Sequence, residues 1–170
     1  MANYEQESET HIYFYGGVFS NFAYCPSGVA VVIGDELITF RTSEHAFMAL
    51  KAHEFGDTDA IEQLKEAVRP SDAKHIGRTV RGFDNDRWAE VRYDAMKAAL
   101  LAKFTQNENH QRALLDTGNK ILVEASPYDK VWGVGVGIGD KRLYSEKTWH
   151  GQNLLGQCLM EVREIIRQTA

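Results

Sequence analysis

The sequence predicts an α+β fold that is predominantly helical, with a few short strands in a single domain. Three observations predict it: strand-like segments lie near both ends of the chain, helical periodicity fills the middle, and strands do not alternate regularly with helices. Such segregation is typical of α+β domains rather than of parallel α/β sheets. At 170 residues the chain is long enough to bury one core and to leave room for a pocket.

The first 40 residues are predicted to form a leader followed by three strands. Residues 1–10 are polar and acidic, so a flexible leader is expected, with the domain itself spanning residues 11–170. His11 to Tyr15 is short and β-prone and predicts a strand. Val29 to Phe40 predicts two strands joined at Gly34-Asp35, a dipeptide that favours a hairpin.

Helical periodicity begins at Thr42. Thr42 or Ser43 can cap a first helix, which places Glu44 in the first turn, where the helix dipole favours an anion. Five further helices are predicted to begin near Asp57, Ser71, Asn85, Asn107 and Asn153. Two more strands are predicted, at residues 120–125 and 131–136.

The composition narrows the class of function. A formal net charge of −5 argues against a broad grip on a nucleic-acid backbone, but it leaves room for a small phosphate pocket. Cys25 and Cys158 give neither a disulfide framework nor a zinc spacing, which favours a reducing compartment. The start of the chain is unlike a signal peptide and no apolar run could span a bilayer. We therefore expect a cytoplasmic protein without a membrane partner.

The first candidate for chemistry is the predicted helix that begins TSEHAFMALK. Glu44 and Lys51 fall on one face with Phe47 and Met48, two turns and about 10 Å apart, so both could reach one small ligand. Apolar neighbours would desolvate Lys51, lower its pKa and expose a nucleophilic amine. His45 points elsewhere and is expected to be a structural hydrogen-bonding residue.

A structural interpretation of the same helix is also open. Glu44 could merely stabilise the helix N-terminus, and Lys51 could pair with Glu54 three residues later.

The second candidate is the segment DKVWGVGVGIGDK, residues 129–141. Its glycines alternate, so it matches neither the dinucleotide-binding fingerprint nor the P-loop pattern. Backbone without side chains at Gly133 and Gly135, beside Trp132 as a stacking platform, suits close approach of a flat or phosphorylated ligand. A glycine-rich strand with a bulge explains the pattern equally well.

Two loop regions contain further candidates. Ser20 and Asn21, in the irregular loop FSNFA, could hydrogen-bond a ligand, although turn formation also explains them. The segment WHGQNLLG, residues 149–156, leads into the last predicted helix. Asn153 lies at its start, where backbone amides could bind an anion.

Three cationic residues on predicted helices are candidate phosphate anchors: Arg92, Lys103 and Arg163. A surface ion pair is the alternative for each of them. No HExxH, CxxC, GxSxG or EF-hand pattern occurs, so neither a metal nor another cofactor is expected.

Six ordered motifs resemble one family closely. They are FSNF with a nearby proline, TSEH-x-F-x-x-x-K, W-x-x-x-R-x-x-x-M-x-x-A-L-x-x-K-F, L-L-x-T-G, L-V-E-A-S-P-x-D-x-x-W-G-x-G and N-L-L-G-x-x-L-M-x-V-R. They are similar to the motifs of the NADAR or YbiA-like family, from about residue 12 to 167. The sequence departs from shorter members between Gly139 and Gln152, where an inserted loop would border the pocket and affect substrate choice.

The resemblance implies an α+β, mostly helical domain that hydrolyses N-glycosidic bonds. Some family members cleave ribosylamino-pyrimidine phosphates of riboflavin synthesis, and others remove ADP-ribose from guanine bases in nucleic acid. Carried over by motif, Glu44, Lys51 and Asp129 become the catalytic residues. The substrate-binding residues expected from the motifs are Ser20, Asn21, Trp88, Arg92, Trp132, Gly133, Gly135 and Asn153.

A mechanism follows from these assignments as a hypothesis. Glu44 acts as general acid or base, Asp129 orients a ribose hydroxyl or water, and the Lys51 amine displaces the base to form a Schiff base. The expected partner is a small nucleotide-like molecule or an ADP-ribosylated guanine, and a nucleic acid where the guanine is part of a strand. The rival interpretation is a non-catalytic module that binds ADP-ribose or NAD.

Overall fold

Two units can be distinguished along the chain in the computed structural model, which describes residues 5–169. The first unit combines the segment up to Ser20 with the segment from Arg112 onward, and the second contains residues 21–111. Each unit has its own sheet. The single domain expected for residues 11–170 stays a prediction.

Helices predominate, and the strands are short. The strands are β1 (Glu5–Glu7), β2 (His11–Phe14), β3 (Val29–Ile33), β4 (Glu36–Phe40) and β5 (Ile121–Glu124). The α-helices are α1 (Ser43–Glu54), α2 (Thr58–Glu66), α3 (Pro70–Arg78), α4 (Asn85–Gln106), α5 (Glu108–Asp116) and α6 (Leu154–Thr169). The predominantly helical α+β class is therefore confirmed. Between residues 5 and 169 no helix has a stretch long and apolar enough to cross a bilayer.

The sheet of the first unit joins strands that are distant in sequence. β2 pairs antiparallel with β1 and parallel with β5, so Tyr13 lies opposite Gln6 on one side and Val123 on the other. Helix α6 packs against β5. The buried core of this unit contains Tyr13, Val123, Ala125, Val134, Val136 and Leu143.

Two sequence-based expectations about this unit are wrong. Residues 5–7, expected in a flexible leader, form β1 and pair with β2, whereas residues 1–4 lie outside the described residues. Residues 131–136 are not a strand. Their backbone groups bond singly to separate segments, as when the Val134 N–H donates to the Glu124 carbonyl and the Val134 carbonyl accepts from the His150 N–H. A ladder cannot form from such scattered partners.

Helix α1 is the central element of the second unit, where it packs against α2, α3, α4 and the hairpin of β3 and β4. The hairpin register pairs Val31 with Ile38, and both side chains are buried. Helices α1 and α3 approach so closely that a Cβ on Gly77 would lie 1.8 Å from the Met48 Sδ. A larger residue at position 77 would therefore force the Met48 side chain to move.

We expect the substitution Gly77→Ala to lower the free energy of unfolding by about 1–3 kcal/mol, because the new methyl group displaces Met48 from a well-packed contact. The change is informative because alanine favours a helix over glycine, so helix propensity alone would raise stability. Urea denaturation followed by circular dichroism measures the effect. The exposed residue Ser71 in the same helix provides the control Ser71→Ala, expected to stay within about 0.5 kcal/mol of the parent.

Candidate active site

The first turn of α1 is fixed by a cap and by a buried histidine. Thr42 Oγ1 accepts a hydrogen bond from the His45 N–H at 3.2 Å, as an N-cap does. The fully buried His45 ring bonds Thr42 Oγ1 at 2.7 Å and the Ala67 carbonyl oxygen at 3.0 Å. Burial lowers the pKa of His45, and both ring nitrogens are engaged. His45 thus has the structural role that the sequence predicted.

Glu44 lies in this turn with only 7% of its surface exposed. Its backbone N–H donates to the Asn21 carbonyl at 3.1 Å, and Ser43 Oγ donates to Asn21 Oδ1 at 2.8 Å. Asn21 Nδ2 donates in turn to Met96 Sδ on α4 at 3.4 Å. The side chain of Asn21, a predicted substrate-binding residue, therefore anchors the first turn of α1. The helix dipole there favours the ionised carboxylate of Glu44.

Lys51 lies two turns further along α1 and is half-buried. Its Nζ donates a hydrogen bond to the Gly77 carbonyl at 2.8 Å, and lies 4.6 Å from the centroid of the Phe83 ring and 5.7 Å from that of Trp88. Burial lowers the pKa of the Lys51 amine, while the negative charge of Glu44 raises it in part. A lowered pKa increases the fraction of neutral amine near pH 7, as a nucleophile needs.

The structural alternative for Lys51 is wrong. Glu54, its expected ion-pair partner, instead accepts a hydrogen bond from Arg87 Nε at 2.6 Å. The electrostatic effect on Lys51 comes from Glu44, which indicates that the two predicted catalytic residues lie near each other in the second unit.

Helix α4 presents Trp88, Arg92 and Met96 at four-residue intervals, so they share one face. Trp88 packs on Phe47 of α1, and Met96 contacts Asn21 beside the N-terminus of α1. Arg92 lies between Trp88 and Met96 on the face of α4 that packs on α1. Arg92 is half-buried, and its guanidinium makes no hydrogen bond or ion pair with any residue between 5 and 169. This supports its predicted role as a phosphate anchor.

In the first unit, Asp129 closes a turn. Its Oδ1 accepts hydrogen bonds from the Val131 N–H at 2.9 Å and the Trp132 N–H at 2.8 Å, while its own N–H donates to Ser126 Oγ at 3.1 Å. The backbone of Trp132 is fixed further, because its carbonyl accepts from the Leu155 N–H at 3.0 Å. The catalytic role of Asp129 and the stacking role of Trp132 stay predictions.

The glycines that follow are explained by packing. A Cβ on Gly133 would lie 2.9 Å from the Asp129 carbonyl oxygen, and one on Gly135 would lie 3.0 Å from the His150 Cβ. Gly135 also has a φ of +68°, which side chains rarely adopt. The close approach that these glycines permit is to neighbouring protein atoms, and their role in ligand binding stays a prediction.

Two other predicted binding residues in the first unit have structural contacts. Asn153 is buried at a φ of +55°, and its side chain accepts from the Glu124 N–H and donates to the Leu122 carbonyl, each at 3.0 Å. It therefore ties the start of α6 to β5. Ser20 is buried, and its N–H donates to the Gly17 carbonyl at 3.1 Å.

The other two candidate phosphate anchors are wrong, because neither cation is available. Lys103 is completely buried, which lowers its pKa to about 8. Arg163 donates to Thr117 Oγ1 and to the Lys120 carbonyl, each at 2.8 Å. Among residues 5–169, no His, Cys, Asp and Glu side chains are grouped so that they could hold a metal ion.

Sequence reasoning missed two groups beside Lys51. The Gly77 carbonyl has no side-chain signal, and only the contact of α3 with α1 brings it to the amine. Phe83 lies in the loop before α4, where neither periodicity nor a motif marks it.

Comparisons with known proteins bear on this arrangement. A family model described as the NADAR domain matches residues 9–167. The chain is 38% identical to an N-glycosidase of Acanthamoeba polyphaga mimivirus over 131 residues, which are 77% of each chain. It is 32% identical over 166 residues to the chloroplastic riboflavin biosynthesis protein PYRR of Zea mays, covering 90% of this chain and 24% of that protein.

The similarity extends to a solved structure. The chain is 35% identical to the N-glycosidase YbiA of Escherichia coli over 161 residues, 92% of this chain and 88% of that one. The NMR structure of E. coli YbiA superposes with a TM-score of 0.71, covering 99% of this chain and 91% of that chain at 29% identity.

We expect Glu44→Gln to lower the pKa of Lys51 further, because the carboxylate is the charge that partly offsets the effect of burial. Reductive methylation with ¹³C-formaldehyde followed by an NMR titration compares the pKa of the methylated Lys51 amine between the parent and the variant. The control is Glu54→Gln on the same helix, since Glu54 pairs with Arg87. An unchanged or raised pKa of Lys51 in Glu44→Gln would contradict the electrostatic effect assigned to Glu44.

Proposed function

This chain belongs to the NADAR domain family and is an N-glycosidase, and we propose that Glu44 and Lys51 carry out the hydrolysis. The observation that supports the assignment is the half-buried Lys51 amine, which has a lowered pKa and lies on the same helix face as the buried Glu44 carboxylate. The substrate is nucleoside-like. The N-glycosidases among its relatives do not support the non-catalytic alternative.

Breaking an N-glycosidic bond requires a proton on the departing nitrogen and a way to stabilise C1. In a ribosylamine the sugar ring can open, so that C1 becomes an imine carbon. The neutral amine of Lys51 then attacks C1, and the C1–N bond to the base breaks as that nitrogen takes up a proton. Water hydrolyses the resulting Lys51–C1 Schiff base, which releases the sugar as an aldehyde and restores the amine.

Glu44 supplies the proton transfers in this scheme. Its carboxylate accepts a proton from the attacking Lys51 amine and passes it to the departing nitrogen, and it later assists the attack of water in the same way. The position of Glu44 in the first turn of α1 supports this role, because the helix dipole there favours a negative charge and burial largely removes the side chain from competing water.

Arg92 is proposed to bind a phosphate group of the substrate. Arg92 is half-buried and makes no hydrogen bond or ion pair with any residue between 5 and 169, and it shares a face of α4 with Trp88, which packs on Phe47 of α1. Arginine binds phosphate through paired, charge-assisted hydrogen bonds. A ribosylamino-pyrimidine phosphate and an ADP-ribosyl guanine both carry such a group, with the guanine free or in a nucleic-acid strand. The similarity to a riboflavin biosynthesis protein supports the first of these substrates.

The test of the mechanism is borohydride trapping with each of these two substrates. We expect the true substrate to give a reduced adduct on Lys51, located by mass spectrometry, and Lys51→Ala to lose both adduct and turnover. Lys65→Ala, which removes a lysine paired with Glu62 on α2, is expected to keep both. Glu44→Gln should reduce kcat about 10²- to 10⁴-fold, the usual effect of losing a general acid or base. An active Lys51→Ala enzyme would refute the covalent mechanism.

Arg92→Gln is expected to raise KM for the phosphorylated substrate about 10- to 100-fold, because charge-assisted hydrogen bonds to phosphate are lost. The same substitution should leave KM for the dephosphorylated substrate nearly unchanged. Arg87→Gln on the same helix is the control, since Arg87 is already paired with Glu54 and Glu90. An equal increase in KM for both substrates would show that Arg92 does not bind the phosphate group.

A further inference from the structure

We propose that Phe83 is the specificity-determining residue on which the planar base of the substrate stacks beside Lys51. The inference rests on the proposed function and identifies which aromatic ring of the second unit contacts the leaving group. It follows from the exposure of the rings around the amine, from their distances and from the backbone that holds Phe83.

Trp88 is near Lys51 but is not available for stacking. Only 8% of its surface is exposed, and its ring lies 5.3 Å from Phe47 and 6.4 Å from Phe55 between centroids. A base could reach the Trp88 ring only by displacing these neighbours. Trp88, a predicted substrate-binding residue, therefore belongs to the support of the site in this proposal.

Phe83 has the opposite environment. It is 45% exposed, and its ring packs with Phe55 in an edge-to-face contact at 5.3 Å and 66°. Lys51 Nζ lies over the Phe83 ring, 4.6 Å from the centroid. Offset-stacked rings have centroids about 4.5–7 Å apart, so a base stacked on the exposed part of Phe83 would lie about as far from the ring centroid as the amine does. In this proposal, a base stacked there has its attached C1 carbon on the side of the ring that faces the Lys51 amine.

The backbone holds Phe83 in this position from both sides. Gly82 has a φ of +75°, and a Cβ at that position would lie 3.2 Å from the Phe55 carbonyl oxygen. Asp84 caps α4, with its Oδ1 accepting from the Arg87 N–H at 2.8 Å. A ring fixed in advance loses little conformational freedom when it binds a ligand.

This placement favours planar leaving groups. Stacking tolerates any base with a π face, so a pyrimidine and a guanine both fit, whereas a sugar phosphate without a base gains nothing from the ring. Selectivity between a ribosylated base and the free sugar phosphate thus depends on Phe83.

The test uses Phe83→Leu, which keeps apolar bulk without a π face, and Phe83→Trp, which keeps the π face. Each is made in a Lys51→Ala enzyme so that binding is measured by calorimetry without turnover. The ligands are a ribosylamino-pyrimidine phosphate and ribose 5-phosphate. Since base–aromatic stacking contributes substantially to binding, Phe83→Leu should raise Kd for the first ligand about 10-fold or more. Phe83→Trp should bind it within about threefold of the Phe83 protein, and ribose 5-phosphate should bind all three alike.

Several results would overturn the proposal. Equal affinity of the Phe83 and Leu proteins for the pyrimidine ligand refutes stacking, and equal weakening by Leu and Trp shows a packing role only. No binding of that ligand to the Phe83 protein refutes the pyrimidine phosphate as the substrate; the three proteins are then titrated with ADP-ribosyl guanine, and equal affinity of the Phe83 and Leu proteins for it refutes stacking. Product formed by the Lys51→Ala proteins during the titration would instead refute the catalytic role of Lys51. The order of ligand affinities among the Phe83, Leu and Trp proteins would still test the role of Phe83. Matching urea midpoints for the three proteins confirm that all are folded.

Discussion

The chemistry proposed for the second unit depends on the hydrogen bond from Lys51 to the Gly77 carbonyl. A lysine side chain is long and flexible, so its amine has a defined position only where a partner fixes it. A carboxylate partner would fix it too, but would raise its pKa. A neutral carbonyl fixes the amine and leaves the effect of burial dominant. Gly77 makes this possible, because the lack of a side chain lets α3 come close enough to α1.

A comparison of two lysines shows why a lowered pKa is not sufficient evidence of a reactive amine. Burial lowers the pKa of both Lys51 and Lys103. Lys103 is completely enclosed, so no substrate can reach its amine without local unfolding. Lys51 is only half-buried, and its amine lies over the ring of the exposed Phe83. A candidate nucleophile must therefore be both partly desolvated and accessible to substrate, and complete burial excludes Lys103.

The parts that the sequence could predict are those governed by local periodicity and capping. The shared face of Glu44 and Lys51 follows from helical spacing, and the structural role of His45 follows from its direction on that helix. Tertiary contacts account for what was missed. No local sequence pattern predicts that the Gly77 carbonyl contacts an amine 26 residues away. The alternating glycines after Trp132 are compatible with a strand or with a ligand-binding loop, and only their tertiary neighbours show that packing explains them.

The topology of the first unit has a consequence for how the chain folds during synthesis. β2 emerges early, yet its parallel neighbour β5 pairs His11 with Ile121 and is made much later. The second unit is one continuous segment, residues 21–111, so it can fold while β2 still lacks its partner β5. Pairing over so long a stretch is slow, because loop closure must precede any gain from contact. The nascent chain therefore exposes an unpaired, apolar strand edge until β5 has been synthesised, and such an edge favours aggregation.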